Sequence, residues 1–212
     1  MKVILSDDPK TLGENAAALT AKLLRGAISK QGSARLLMST GASQFDTIKA
    51  LVREDVDWSV VDVFHLDEYI DMPDTHPASF RKYIRERFAD IVHPRRVNYV
   101  VAEGDVTQNI RELTAELRRE PIDVGLIGIG ENAHIAFNDP PADFETQNAY
   151  IIVDLDIKCR TQQLHEGWFQ TLDDVPRRAV SMSVSEIMKC RSVISAVPYK
   201  VKAQAIRDTL EN

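Results

Sequence analysis

The sequence predicts an α/β fold of the Rossmann-like kind: a doubly wound, largely parallel sheet with helices on both faces, in a single domain over residues 1–212. Three observations predict it. Short apolar runs recur along the chain, clearest in Ile122-Asp123-Val124-Gly125-Leu126-Ile127, and such runs bounded by turn residues read as central strands of a parallel sheet. The stretches between them space apolar residues at helical intervals, and strands alternating with helices indicate βαβ units. Several apolar runs also end abruptly in polar loops, as expected at the carboxyl edge where open α/β sheets bind ligands.

In chain order, residues 2–5 read as a strand and residues 9–30 as an amphipathic helix. The helix carries Leu12, Ala16, Leu19, Leu23 and Leu24 on its apolar face and stops at Gln31-Gly32. Residues 35–38 give a second strand, 44–54 a second helix and 60–64 a third strand. Pro77 suits the first position of a helix over 77–88, with Thr75 or His76 near its cap. A strand over 97–101 precedes a helix over 107–119, for which Asp105 or Thr107 serves as cap. The central strand is 124–127; segments 149–153, 179–182 and 192–196 complete the strands, and 199–210 closes as a helix. No internal repeat, low-complexity tract or linker interrupts this order.

The most informative stretch follows the central strand: Gly128-Ile129-Gly130-Glu131-Asn132-Ala133-His134-Ile135-Ala136-Phe137-Asn138-Asp139-Pro140. Its glycines, Gly130 among them, let the backbone come close to a ligand. An imidazole (His134), an amide (Asn138) and a carboxylate (Asp139) then follow within six residues, a set suited to proton transfer on a polar small molecule. The Gly-x-Gly is not a dinucleotide fingerprint, because it lacks the third glycine and lies mid-chain. A second motif, Leu66-Asp67-Glu68-Tyr69, ends the third strand in two adjacent carboxylates. Neighbours in a strand point to opposite faces, so one can face a pocket as base while the other braces the loop. On spacing alone, solvation of a strand end explains the pair equally well.

Two junctions offer an anion site. Ser39-Thr40-Gly41-Ala42-Ser43 passes from a strand end into a helix, where backbone N–H groups and hydroxyls can meet a phosphate; an ordinary cap explains it too. Val197-Pro198-Tyr199-Lys200 likewise leaves a strand for a helix, with Lys202 as the neighbouring alternative to Lys200.

Leu66-Asp67-Glu68-Tyr69, then His76-Pro77-Ala78-Ser79-Phe80, then the long glycine-histidine loop resemble the glucosamine-6-phosphate deaminase/isomerase family, in order from about residue 36 to 200. The segment 160–169 (Arg-Thr-Gln-Gln-Leu-His-Glu-Gly-Trp-Phe) is similar to a divergent branch. The resemblance implies an enzyme that opens the ring of a 2-amino-2-deoxy sugar 6-phosphate, moves a proton from C2 to C1 and releases ammonia. It implies that His134 opens the ring, that Asp67 shuttles the C2 proton beside Glu68, and that Asp139, shorter than the family's glutamate, partners the histidine. Thr40, Gly41, Ala42 and Ser43 match the phosphate loop, with Ala42 and Gln44 in place of a glycine and a proline, and Lys200 matches a phosphate lysine. Asn132 stands where the best-known members carry an aspartate, and Ala133 replaces a glycine. The phosphate arginine has no clear match: Arg160 is near but out of register, and Gln163 is a candidate pocket residue. The family usually continues past the last helix, which leaves open a short variant or a missing last segment, and with it the absence of one sheet element.

The resemblance implies no cofactor and no metal, with a small-molecule sugar phosphate as partner and homo-oligomerisation left open. Within the same fold, 6-phosphogluconolactonases are the alternative. They would show an arginine where Tyr69 stands and a threonine where Ile135 stands, so both residues favour the deaminase. Sugar-phosphate-binding regulators of this fold normally carry a DNA-binding segment ahead of it, whereas this chain opens on its first predicted strand. A net charge of −6 with no basic patch argues against nucleic acid as partner. The two cysteines, Cys159 and Cys190, lack metal-ligand spacing and suit a reducing compartment. No stretch reaches membrane-spanning length and the first apolar run is too short for a signal peptide, so a cytoplasmic protein is expected.

Overall fold

The computed structural model describes residues 1–165 and 167–211. Its elements in chain order are α1 (Pro9–Gln31), β1 (Ala34–Met38), α2 (Phe45–Leu51), β2 (Val61–His65) and β3 (Asp67–Tyr69). Next come α3 (Phe80–Ile84), a π-helical turn, α4 (Asp90–Val92), β4 (Arg96–Asn98), α5 (Val106–Leu117) and β5 (Val124–Ile127). The chain continues with β6 (Tyr150–Asp154), α6 (Ile157–His165), β7 (Arg178–Met182), α7 (Val184–Ile187), β8 (Ser192–Ser195) and α8 (Ala203–Glu211).

Five strands form a parallel sheet in the order β4-β2-β1-β5-β8. The innermost strands β1, β2 and β5 are buried throughout, and so read as mainly apolar runs, broken only by the buried Arg35 in β1 and Asp62 and His65 in β2. Met38 pairs with both His65 and Leu126, so the carboxyl ends of β1, β2 and β5 lie level. The chain leaves β1 toward β2 on one side, and β5 later adds on the other. The strand order therefore reverses between β1 and β5, where such sheets open a crevice.

Two expected strands do not join this sheet. β6 and β7 pair antiparallel with each other, and β7 pairs with β3, making a separate three-stranded sheet. The chain crosses from one sheet to the other at Leu66, whose carbonyl accepts from Met182 N–H at 2.7 Å. This crossing sets Asp67 immediately beyond the carboxyl end of β2. Residues 2–5 also depart from expectation: they form no strand, and Leu5 is 91% exposed. A β-prone sequence needs a partner strand, and none is paired with this segment among the described residues.

Helix α1 starts where predicted. Asp8 accepts from Thr11 N–H at 2.8 Å, Pro9 follows, and Gly32 closes the helix at φ 80° with its N–H on the Ile28 carbonyl. Its buried face is built from small residues, Gly13, Ala16, Ala17 and Ala21 with Thr20 and Leu24, while Leu19 faces outward. A Cβ on Gly13 would sit 2.7 Å from the backbone of Asp46 and Thr47, so small side chains are what let α1 lie close on α2. Helix α3 begins at Phe80 rather than Pro77: Ser79, not Thr75 or His76, is its cap, accepting from Lys82 N–H at 3.3 Å. Asp105 caps α5 as expected. Among the described residues, no helix is long and apolar enough to cross a membrane.

Candidate active site

A cleft opens over the carboxyl edge at the β1/β5 switch. The loop after β1 (Ser39 to Ser43), the loop after β5 (Gly128 to Glu131, then His134), Asp67, Phe80, Phe137, Gln162, Gln163, Tyr199 and Lys202 line it. The motifs that sequence reasoning singled out thus meet in one cavity.

Asp67 and Glu68 take opposite faces of β3. Asp67 lines the cleft and is 7% exposed. Burial, reinforced by the charge of Glu68, pushes its carboxyl up to about 8. Glu68 points away and is fully buried. It accepts from Tyr69 N–H at 3.0 Å, Ser79 Oγ at 2.8 Å and Arg81 N–H at 3.0 Å, and its Oε2 lies 3.5 Å from Arg81 Nε. These bonds tie β3 to the start of α3.

The imidazole of His134 packs against Gly130, and a Cβ there would clash with three ring atoms, all within 2.5 Å. This packing, not backbone conformation, demands glycine at that position. Nδ1 of His134 lies 3.0 Å from Oδ1 of Asp139, the expected pairing, and also touches Oδ1 of Asn132. Asn132 Nδ2 donates to the same Asp139 oxygen at 3.0 Å, closing a three-residue cluster. Burial works to raise the Asp139 carboxyl; the hydrogen bonds from His134 and Asn132 outweigh it and hold the group below the ordinary carboxylate range. With Nδ1 engaged, Nε2 is the nitrogen left for a ligand. Ala133 and Ala136 flank the histidine at φ 67° and 54°, left-handed conformations that a glycine would adopt without strain.

Asn138 is not part of this chemistry. Its Nδ2 donates to the carbonyls of Ile135 (2.9 Å) and Met182 (2.8 Å), pinning the loop to β7.

At the other end of the cleft, Thr40, Gly41, Ala42 and Ser43 line the wall; Gly41 sits at φ 94°, which favours glycine. Tyr83 Oη donates to the Gly41 carbonyl at 3.0 Å. Ser39 Oγ is buried at the cleft with no hydrogen-bond partner among the described residues. Gln44, in the place of the expected proline, donates to the Ala196 carbonyl at 3.1 Å and so ties this loop to the end of β8. Beyond β8, Lys202 lines the cleft and Lys200 does not; Lys200 is exposed. The turn over Lys200–Lys202 decides between them by facing its third residue inward. Arg160 stays out of the cleft: its Nε donates to the Val175 carbonyl at 3.2 Å and its Nη2 to the Leu172 carbonyl, so it braces the turn before β7. Gln163 does line the cleft. Sequence reasoning missed Phe80, Phe137 and Gln162 as walls, because only the juxtaposition of α3, the loop after β5 and α6 makes them so. Among the described residues, no group of three or more His, Cys, Asp or Glu side chains could hold a metal ion.

A family model described as glucosamine-6-phosphate isomerases/6-phosphogluconolactonase matches residues 7–212. A glucosamine-6-phosphate deaminase of Halothermothrix orenii is 31% identical over 218 residues, spanning 99% of this chain and 87% of that protein. One of Thermoanaerobacter pseudethanolicus is 29% identical over 219 residues, 100% of this chain and 83% of the relative. Among solved structures, a monomeric glucosamine-6-phosphate deaminase superposes with a TM-score of 0.89 at 26% identity, covering 100% of this chain and 88% of its own. A 6-phosphogluconolactonase of Shewanella baltica shares the fold with a TM-score of 0.79 at 20% identity, covering 98% and 85%. The match runs through every element that builds the cleft, and this chain therefore belongs to the glucosamine-6-phosphate isomerase/6-phosphogluconolactonase family.

Proposed function

We propose that this chain is an amino-sugar phosphate isomerase/deaminase that converts a 2-amino-2-deoxy sugar 6-phosphate, glucosamine 6-phosphate first, into the ketose 6-phosphate and ammonia. Net, one C–N bond is hydrolysed. The observation that carries the reading is a buried carboxyl, Asp67 at about 8, facing the same cleft as the His134–Asp139 pair and the Ser39–Ser43 loop. His134, its Nδ1 held by Asp139, uses Nε2 to move the proton from the anomeric hydroxyl to the ring oxygen, opening the ring. Asp67 in its ionised form takes the C2 proton and returns it to C1. Water then adds to the C2 iminium, and ammonia leaves. Because Asp67 is mostly protonated at neutral pH, the reactive form grows as pH rises toward 8.

The phosphate is held by the hydroxyls and backbone N–H groups of Ser39 to Ser43 together with Lys202, rather than by Lys200 or Arg160. The buried Ser39 hydroxyl, unpartnered among the described residues, supports this, since a buried hydroxyl without a partner is costly unless a ligand supplies one. Asn132 holds His134 and Asp139 together in place of a second carboxylate. Residues 1–212 act as one domain without a cofactor, and the cytoplasm is the setting.

Ammonia release should be assayed across glucosamine, galactosamine and N-acetylglucosamine 6-phosphates, with acid release from 6-phosphogluconolactone run beside them. Ammonia from glucosamine 6-phosphate is the expected result. Turnover of the lactone alone would replace this reading with the lactonase one, which the shared fold keeps as the second candidate.

A further inference from the structure

We infer that Tyr69 is a positioning residue that turns the amide of Gln163 toward the substrate, and that this amide meets an oxygen of the sugar chain rather than the phosphate. The inference rests on the sugar-phosphate reading of the cleft and adds a specificity determinant to it.

Side chains alternate along a strand, so Asp67 and Tyr69 of β3 share a face while Glu68 takes the other. The Tyr69 ring is 1% exposed and is held by Phe80, Phe137 and Phe169, with ring centroids 5.1, 5.2 and 5.7 Å away. Its hydroxyl, at the tip of a ring that cannot turn aside, donates to Gln163 Oε1 at 2.7 Å. Gln163 comes from α6 and lines the cleft with Asp67. With the amide oxygen engaged by Tyr69, the two N–H bonds of Nε2 are what Gln163 offers a ligand.

Position decides which ligand atom they meet. The Ser39–Ser43 loop and Lys202 follow β1 and β8 of the parallel sheet, whereas Tyr69 and its partner Gln163 belong to the Asp67 side, over the antiparallel sheet. A donor beside the base that works at C2 lies near the oxygens of C1 and C3, not near the phosphate on C6. A neutral amide also suits a hydroxyl or carbonyl oxygen, since recognition of a dianion is better served by charged donors.

Calorimetry on the full chain with two non-reacting ligands, glucitol 6-phosphate and inorganic phosphate, tests this. The parent should bind the polyol phosphate more tightly; equal affinity would overturn the sugar-phosphate reading itself, and this inference with it. Gln163→Leu should weaken glucitol 6-phosphate by about five- to tenfold, the equivalent of one lost neutral hydrogen bond, and leave inorganic phosphate within about twofold. Tyr69→Phe, which keeps the ring packing, should weaken the polyol phosphate by about threefold or more, and the double variant should be no weaker than Gln163→Leu alone. Equal loss of both ligands in Gln163→Leu would show that the amide meets the phosphate. Loss in Gln163→Leu with none in a folded Tyr69→Phe would show that the hydroxyl does not orient it.

Discussion

Asp67→Asn should make the protein more stable and inactive at once. The carboxyl is 7% exposed and titrates near 8 instead of its ordinary 3.8. In the unfolded chain it ionises as pH rises through 3.8, while in the fold it keeps its proton up to about 8. The folded state therefore binds more protons across that window, and stability falls as pH rises through it. Whatever the group contributes is fully present below about pH 4 and is lost by about pH 8. At pH 7 the roughly three-unit gap corresponds to at most about 4 kcal/mol at about 1.36 kcal/mol per unit. An asparagine fills the same space and stays neutral in both states, so the variant should gain roughly 2–4 kcal/mol at pH 7 and almost nothing at pH 4. For a chain of this size, that is a melting temperature higher by roughly 6–12 °C. Thermal unfolding of both proteins from pH 4 to 8, with turnover measured alongside, is the assay. A stability difference independent of pH would refute a neutral buried carboxyl, and near-normal turnover would refute its role as base.

The ionised Asp67 fraction should also shape the rate: kcat/KM for glucosamine 6-phosphate should climb by about tenfold per unit from pH 6 and level off near 8, and a flat or falling profile there would remove Asp67 from proton transfer. Lys202→Ala should raise KM by roughly 10- to 150-fold, matching a lost charge-assisted bond of about 1.5–3 kcal/mol, while Lys200→Ala stays within about twofold; steady-state kinetics with the reverse ranking would return the phosphate to Lys200. Gly130→Ala should push the His134 ring off Asp139 and lower kcat by about 100-fold with circular dichroism unchanged. Normal turnover would mean that the ring works from elsewhere.

The sequence alone made the three inner parallel strands legible, because a strand buried on both faces leaves a mainly apolar run, as in Val124–Ile127. The ends of α1 were legible for a similarly local reason: Pro9 and Gly32 act on their own backbone neighbours, and the structure adds Asp8 as the cap. Helix α6 had no such signal. Its inward residues are Cys159, Arg160 and Gln163, which break apolar periodicity because two of them serve hydrogen bonds instead of packing.

The site divides in the same way. Its chemical inventory, Asp67, His134, Asp139 and the Ser39–Ser43 loop, could be read from residue types at strand ends, since in an α/β sheet those ends share one edge. Even the division of labour between Asp67 and Glu68 follows from the two-residue period of a strand. Which cation faces the cleft could not be read, because Lys200 and Lys202 differ only in how one turn is rotated. Nor could the fate of Arg160, whose partners are carbonyls 12 and 15 residues away. The sequence by itself determined which groups reach the edge of the sheet, since local periodicity and capping depend on neighbours along the chain. Only the tertiary structure decided which of them face one another and at what proton affinity, since burial and pairing depend on residues that the chain brings back from far away.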